Sequence, residues 1–233
     1  MAITSALSRG IAAVRRFVLE PPVGRAGTWL PVLVLASLLG GCAVGNTYEY
    51  RLGRMPLPVQ GSSAIGLAVT DQRPYVIAGH KDPNFVGLQR GGYGNPFDVT
   101  TSSGRPMAQD MAETLKIGLE DKGFRVIPLM VATDDPGALG RAAAARGLTR
   151  VVALQIREWK TDTMVRTKLV YDLELLIIDA DGQVVARNAV RGSDAIGGGM
   201  PRAIGALAQQ SFEGKIGQLF YPPDIQAALS DSQ

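Results

Sequence analysis

Apolar and polar residues alternate most clearly between Val165 and Ile178. Val165, Thr167, Leu169, Tyr171, Leu173, Leu175 and Ile177 share one side, against Arg166, Lys168, Asp172 and Glu174 on the other. A period of two predicts a β-strand with one face in a core and the other in water. Strands are likewise predicted over about Arg150 to Lys160 and Gln183 to Arg191, joined through turns at Thr161-Asp162-Thr163 and Asp179-Ala180-Asp181-Gly182. Upstream, Ala64 to Thr70 places Ile65, Leu67 and Val69 on one face, and Arg125 to Leu129 predicts a short strand. A spacing of three and four residues marks the helices. Ala108, Met111, Ala112, Leu115 and Leu119 follow Pro106 and precede Gly123-Phe124, a Schellman-type stop. Asp135-Pro136 opens a small Ala-rich helix that Gly147 ends, and Pro201 opens a helix carrying Ile204, Leu207, Ala208, Phe212, Ile216 and Leu219.

The predicted order β-α-β-α-β-β-β-α defines one α/β (α+β) domain over residues 64–220, a mixed sheet with an antiparallel meander and helices on one face. Residues 42–63 lack sustained periodicity and read as a tether, and 221–233 as a loose C-terminal tail. Residues 75–104, with Pro83, Pro96 and Arg90-Gly91-Gly92-Tyr93-Gly94-Asn95, read as a long loop with room for a short hairpin. Loops of that length are functional or disordered.

Residues 1–41 depart from this pattern. A basic flank ending at Arg25 precedes the apolar run Trp29 to Leu39, too short to cross a bilayer as a stable helix and typical of a signal-peptide core. It closes on Leu39-Gly40-Gly41-Cys42, which resembles the bacterial lipobox. That resemblance implies cleavage between Gly41 and Cys42, lipidation of Cys42, and a mature chain beginning there. Two or three acyl chains anchor stably where one is marginal, at about 0.8 kcal/mol per buried CH₂. Ala43 stands where inner-membrane lipoproteins often carry Asp, which favours an outer-membrane location facing the periplasm.

The chain has 233 residues, 46% apolar and 19% charged, an ordinary globular composition. Its formal charge of +3 is misleading. Of 24 basic and 21 acidic residues, the leader holds Arg9, Arg15, Arg16 and Arg25 against Glu20, leaving twenty of each in the remainder. A balanced surface argues against nucleic acid as a partner. The single Cys and single His exclude an intrachain disulfide and cysteine-based metal sites. His80 sits in a Pro/Gly-rich stretch with no G-x-S-x-G element anywhere, so no hydrolase set is legible. Lys81-Asp82 and Asp134-Asp135 lack a calcium-loop register and read as turn and cap residues. Gly91-Gly92-Tyr93-Gly94 is followed by Pro96 and Phe97 where a phosphate loop needs a helix N-terminus. No cofactor, metal or catalytic residue is expected.

The lipobox, Asp71-Gln72-Arg73 closing the first strand, Val86-Gly87, Gly92-Tyr93-Gly94-Asn95, and the helix end Lys122-Gly123-Phe124-Arg125-Val126 together resemble the YajG-like bacterial lipoproteins. The resemblance implies a membrane-anchored envelope protein without established enzymatic activity. Its expected role is binding or structural, toward an envelope protein or a peptidoglycan-associated partner. A ligand- or lipid-binding auxiliary subunit of a transport system is the alternative. Asp71, Arg73, Gly92, Tyr93 and Gly94 are the candidate interface, with Asp71 and Arg73 open to a second reading as an ion pair that pins the loop.

Overall fold

The computed structural model describes residues 46–51, 55–131, 133–198 and 200–230. The signal core and the Gly41/Cys42 junction lie outside them. Eight strands form one mixed sheet: β1 (Thr47–Tyr48), β2 (Ala64–Asp71), β3 (Phe85–Arg90), β4 (Pro96–Thr101), β5 (Arg125–Pro128), β6 (Arg150–Thr163), β7 (Thr167–Asp179) and β8 (Val184–Gly197). The helices are α1 (Pro74–Ile77), α2 (Met107–Glu120), α3 (Pro136–Ala144), α4 (Pro201–Phe220) and α5 (Pro223–Ser230). The architecture is the mixed α+β single domain that the periodicities predict.

β6, β7 and β8 form the antiparallel meander. At 14 residues, β6 extends for about 45 Å, long enough to carry two strands end to end on its other edge. β2 pairs in parallel with its first half, Gly66↔Val151 to Asp71↔Ile156. β3 pairs in parallel with its last residues, Gly87↔Thr161 to Gln89↔Thr163. β5 extends the β2 branch, and β4 followed by β1 extends the β3 branch. The sheet therefore forks beside residues 157–160 of β6, where its register with β7 also shifts, between Ile156 and Glu158. Glycine is required at one join. A Cβ on Gly87 would collide with the Thr161 side chain and lie 2.8 Å from the Thr161 carbonyl oxygen.

The main core lies between one sheet face and α2, α4 and α5. It contains Met107, Met111, Leu115 and Leu119 of α2, Ile204, Ala208, Phe212 and Ile216 of α4, and Ile225 and Leu229 of α5. At its centre Tyr50, Trp159 and Phe212 meet edge to face with centroids 5.8–6.1 Å apart, and Trp159 Nε1 donates to Tyr50 Oη at 2.9 Å. The stop of α2 forms as expected. Phe124 N donates to Leu119 O and Gly123 N to Glu120 O, with Gly123 at φ +97°, the paired bonds of a Schellman motif.

Five expectations are corrected. The tether is largely part of the fold, since Tyr48, Tyr50, Met55, Leu57 and Val59 are buried in the main core. Residues 75–104 hold the short hairpin for which they had room, with β3 and β4 paired antiparallel, but little of the rest is free loop, because α1 bridges β2 to β3. The tail contains α5, whose Ile225 and Leu229 are fully covered. Helices cover both faces, because α3 packs Leu139 and Ala143 against Ala68, Val151, Ala153, Leu176 and Ile178 on the side opposite the main core. This explains why Leu175 to Ile178 are all buried despite the alternation preceding them. The turn between β6 and β7 also falls later than expected, at Met164–Arg166, so Val165 leaves the core face and is exposed.

Candidate functional site

Asp71 and Arg73 meet at the fork. β2 ends at Asp71, and Pro74 starts α1 immediately after Arg73, which turns the chain away from β6. Arg73 is fully buried and uses all five guanidinium N–H donors. Nε and Nη2 make a bidentate pair with Asp71 Oδ1 and Oδ2 at 2.8 and 2.7 Å. Nη1 donates to the carbonyls of Phe85 at 2.6 Å and Trp159 at 3.2 Å, and Nη2 also donates to Pro83 O at 3.2 Å. The side chain thus occupies the gap between the two branches and satisfies carbonyls from β3, β6 and the segment joining α1 to β3. Burial opposes its charge, but the hydrogen bonds and charge of Asp71 outweigh that and raise its pKa further above the ordinary arginine value. With no exposed surface, Arg73 has nothing to offer a partner directly, and the pair pins the hairpin segment in place.

Tyr75 forms a second layer over this pair. Its ring lies 5.6 Å from Arg73 Cζ and 5.0 Å from Lys160 Nζ. Its hydroxyl donates to Glu158 Oε1 at 2.5 Å, and Lys160 bonds Glu158 Oε2 at 3.1 Å. Burial, then the hydrogen bond to Glu158, push the phenol well above its usual pKa, so it stays protonated and acts as a donor. No residue motif marks Tyr75 or Glu158 in the sequence, since they are 83 positions apart. His80 is exposed on the turn after α1. Asp135 caps α3 by accepting from Ala138 N at 2.8 Å. Among the described residues no group of three His, Cys, Asp or Glu is placed to hold a metal.

Gly92, Tyr93 and Gly94 lie far from Asp71 along the hairpin, at its tip. Gly91 N donates to Asn95 O, and Gly94 N to Gly91 O, so the five residues form a tight turn with Gly94 at φ +81°. Tyr93 projects into solvent. The candidate interface residues therefore divide into a buried structural node and an exposed tip.

A groove of about 560 Å³ runs between α2 and the β2–β5 branch, within the range of small-ligand sites. Leu67, Val69, Ala108, Ala112, Leu129 and Val131 form its apolar lining, with Arg105, Glu113 and Lys116 also present. These charges are matched, Arg105 with Asp110 and Glu113, and Lys116 with Glu120. On the polar face of the meander Arg157–Glu174 and Arg191–Asp172 are also paired, as expected of a solvated sheet face.

No family model matches the chain, and no curated protein sequence matches it. Among solved structures it is similar to a Xanthomonas campestris protein of the DUF330 family at 13% identity and a TM-score of 0.48, covering 79% of this chain and 95% of that one. It is also similar to the PelC dodecamer of Paraburkholderia phytofirmans, at 15% identity, a TM-score of 0.38, and 72% and 94% coverage. A lipoprotein of Neisseria meningitidis aligns at 10% identity with a TM-score of 0.29, over 67% of this chain and 99% of its own.

Proposed function

We propose that this chain is a YajG-like envelope lipoprotein, acylated at Cys42, anchored in the bacterial outer membrane and facing the periplasm, with a noncatalytic domain that binds an envelope protein or a peptidoglycan-associated partner. The observation that carries this reading is Leu39-Gly40-Gly41-Cys42 placed directly before the fold, with β1 beginning five residues after the Cys. The domain sits next to its anchor instead of hanging from a long tether. No helix among the described residues is long and apolar enough to cross a membrane. Partner binding falls to the outer edge of β8, which among the described residues pairs only with β7 and can accept an added strand.

Mass spectrometry of the membrane-extracted protein tests the anchor. An N-terminal Cys42 carrying acyl mass is expected, and uncut, unacylated protein in the cytosol of its host would refute it. Crosslinking of the tethered form should recover one reproducible envelope partner.

The α2/β5 groove favours a second reading as a ligand- or lipid-binding auxiliary subunit. In that case a fluorescent fatty acid should bind stoichiometrically, and Ala112→Trp, which fills the groove, should abolish binding. Absence of saturable binding would dismiss this alternative.

A further inference from the structure

We infer that the end of the domain formed by the β3–β4 tip, the β6–β7 turn and the start of α4 rests on the bilayer, as a surface that fits interfacial lipid with anionic headgroups. This rests on the anchor proposed above and adds the orientation of the domain. Three segments distant in sequence converge there. Gln89 pairs with Thr163, so the tip at residues 91–95 extends to the level of Met164. Thr167 pairs with Gly197, and the backbone at Gly198 lies against the Val165 carbonyl, which brings the first turn of α4 beside the same turn.

Each segment presents a large apolar side chain to solvent. Tyr93 is 99% exposed, Met164 59%, Val165 81% and Met200 72%. Side chains so exposed on three neighbouring turns mark an interaction surface, and an exposed tyrosine suits the headgroup level of a membrane. Residues 91–95, 164–166 and 200–203 contain no carboxylate but include Arg166 and Arg202, both exposed. Asp162, next to this end, is already engaged by a bidentate pair with Arg90 at 2.7 and 2.6 Å. The net field of the surface is therefore positive, which complements an anionic leaflet.

The direction of the chain identifies the bilayer as the occupant. β1 runs parallel to the far end of β4, Thr47 opposite Thr100 and Tyr48 opposite Thr101, so the polypeptide approaches β1 from the direction of the tip and enters it about 13 Å, roughly four strand residues, short of the tip. Gly205, in the second turn of α4, packs against Tyr48 and Thr47, which places the entry about one and a half helical turns along α4 from Met200. Cys42 is four residues before Asn46, a reach of at most about 14 Å. An acyl chain on Cys42 inserted in a membrane leaves this end of the domain little freedom to be anywhere but at its surface.

The acylated protein reconstituted into phosphatidylethanolamine/phosphatidylglycerol vesicles with brominated acyl chains tests this. Val165→Trp and Met200→Trp place reporters on the surface. Val185→Trp places a control near the opposite end of β8, about 40 Å away. Trp159 is buried and provides a constant background. Each surface reporter should lose roughly half of its added emission, as for an indole about 5–10 Å into the acyl boundary, and Val185→Trp should lose none. Arg166→Glu with Arg202→Glu should reduce the quenching of Met200→Trp. Unquenched surface reporters in a protein of confirmed acyl mass would overturn the orientation, as would equal quenching of the Val185→Trp control. Unchanged quenching in the doubly reversed protein would overturn the anionic preference. A protein that carries no acyl mass and fails to enter vesicles would instead refute the anchor itself.

Discussion

Arg73 is the residue on which the forked sheet depends most, and Arg73→Met isolates its contribution. Methionine nearly fills the same volume, so the loss is electrostatic and hydrogen-bonding more than a cavity. Removal strands the Asp71 carboxylate, whose side chain is only 14% exposed, and withdraws donors from the carbonyls of Pro83, Phe85 and Trp159. Breaking a buried ion pair from one side costs about 3–5 kcal/mol. Partial rehydration of Asp71 places the expectation near the lower figure. For a domain of this size that corresponds to a fall in Tm of roughly 6–12 °C. Arg73→Lys keeps the charge but replaces a planar fork of five donors by three on a flexible stem, so its loss should be intermediate. Urea unfolding followed by far-UV circular dichroism and by Trp159 emission measures all three proteins. Asp71→Asn in the Arg73→Met background should cost little more, because the two side chains act as a unit. A loss below about 1 kcal/mol for Arg73→Met, or strict additivity with Asp71→Asn, would refute the view that this pair holds the two branches together.

Other outcomes follow from the same contacts. Tyr50→Phe removes the acceptor of the Trp159 Nε1–H in a fully buried aromatic cluster and should lower stability by about 1–3 kcal/mol in the same titration. Leu229→Ala in α5, a residue that a loose tail would leave dispensable, should cost about 2–4 kcal/mol by thermal unfolding. Arg90 holds the Asp162 carboxyl below its ordinary pKa, first by direct hydrogen bonds and then by charge. The unfolded chain therefore binds the proton more readily than the native state. This contribution is complete above the unfolded value of about 4 and is lost as pH falls through the lower native one. Arg90→Gln should raise the Asp162 titration toward the ordinary value, read by carboxyl-carbon NMR, and should remove that part of the acid-side loss of stability.

Periodicity alone makes the framework visible. The alternation along β7, the three-four spacing on α2 and α4, and the Gly123 and Gly147 stops are local properties, set by backbone geometry and by which face a side chain shares with its neighbours. The leader and its Cys are equally local. Other parts were written less plainly. Met55-Pro56-Leu57-Pro58-Val59 does alternate, but its prolines cannot donate to a ladder, so the pattern indicates an extended segment without saying that it lies in the core. Phe85 to Leu88 and Phe97 to Val99 flank a Gly-rich turn and carry a hairpin signal, weakened by their brevity and by Pro96.

What only the tertiary structure decided is which distant segments meet. Asp71-Gln72-Arg73 has the same sequence whether it pins a fork or faces a partner. The choice depends on β6 being long enough to receive two strands on one edge, leaving a gap that a buried guanidinium satisfies. The surface of Tyr93, Met164, Val165 and Met200 is likewise absent from any window of sequence, because it comes from three turns and a strand entry that strand register brings to one end. Local chemistry determined the elements and the expected anchor, whereas long-range pairing determined which residues are hidden and which remain to meet another surface.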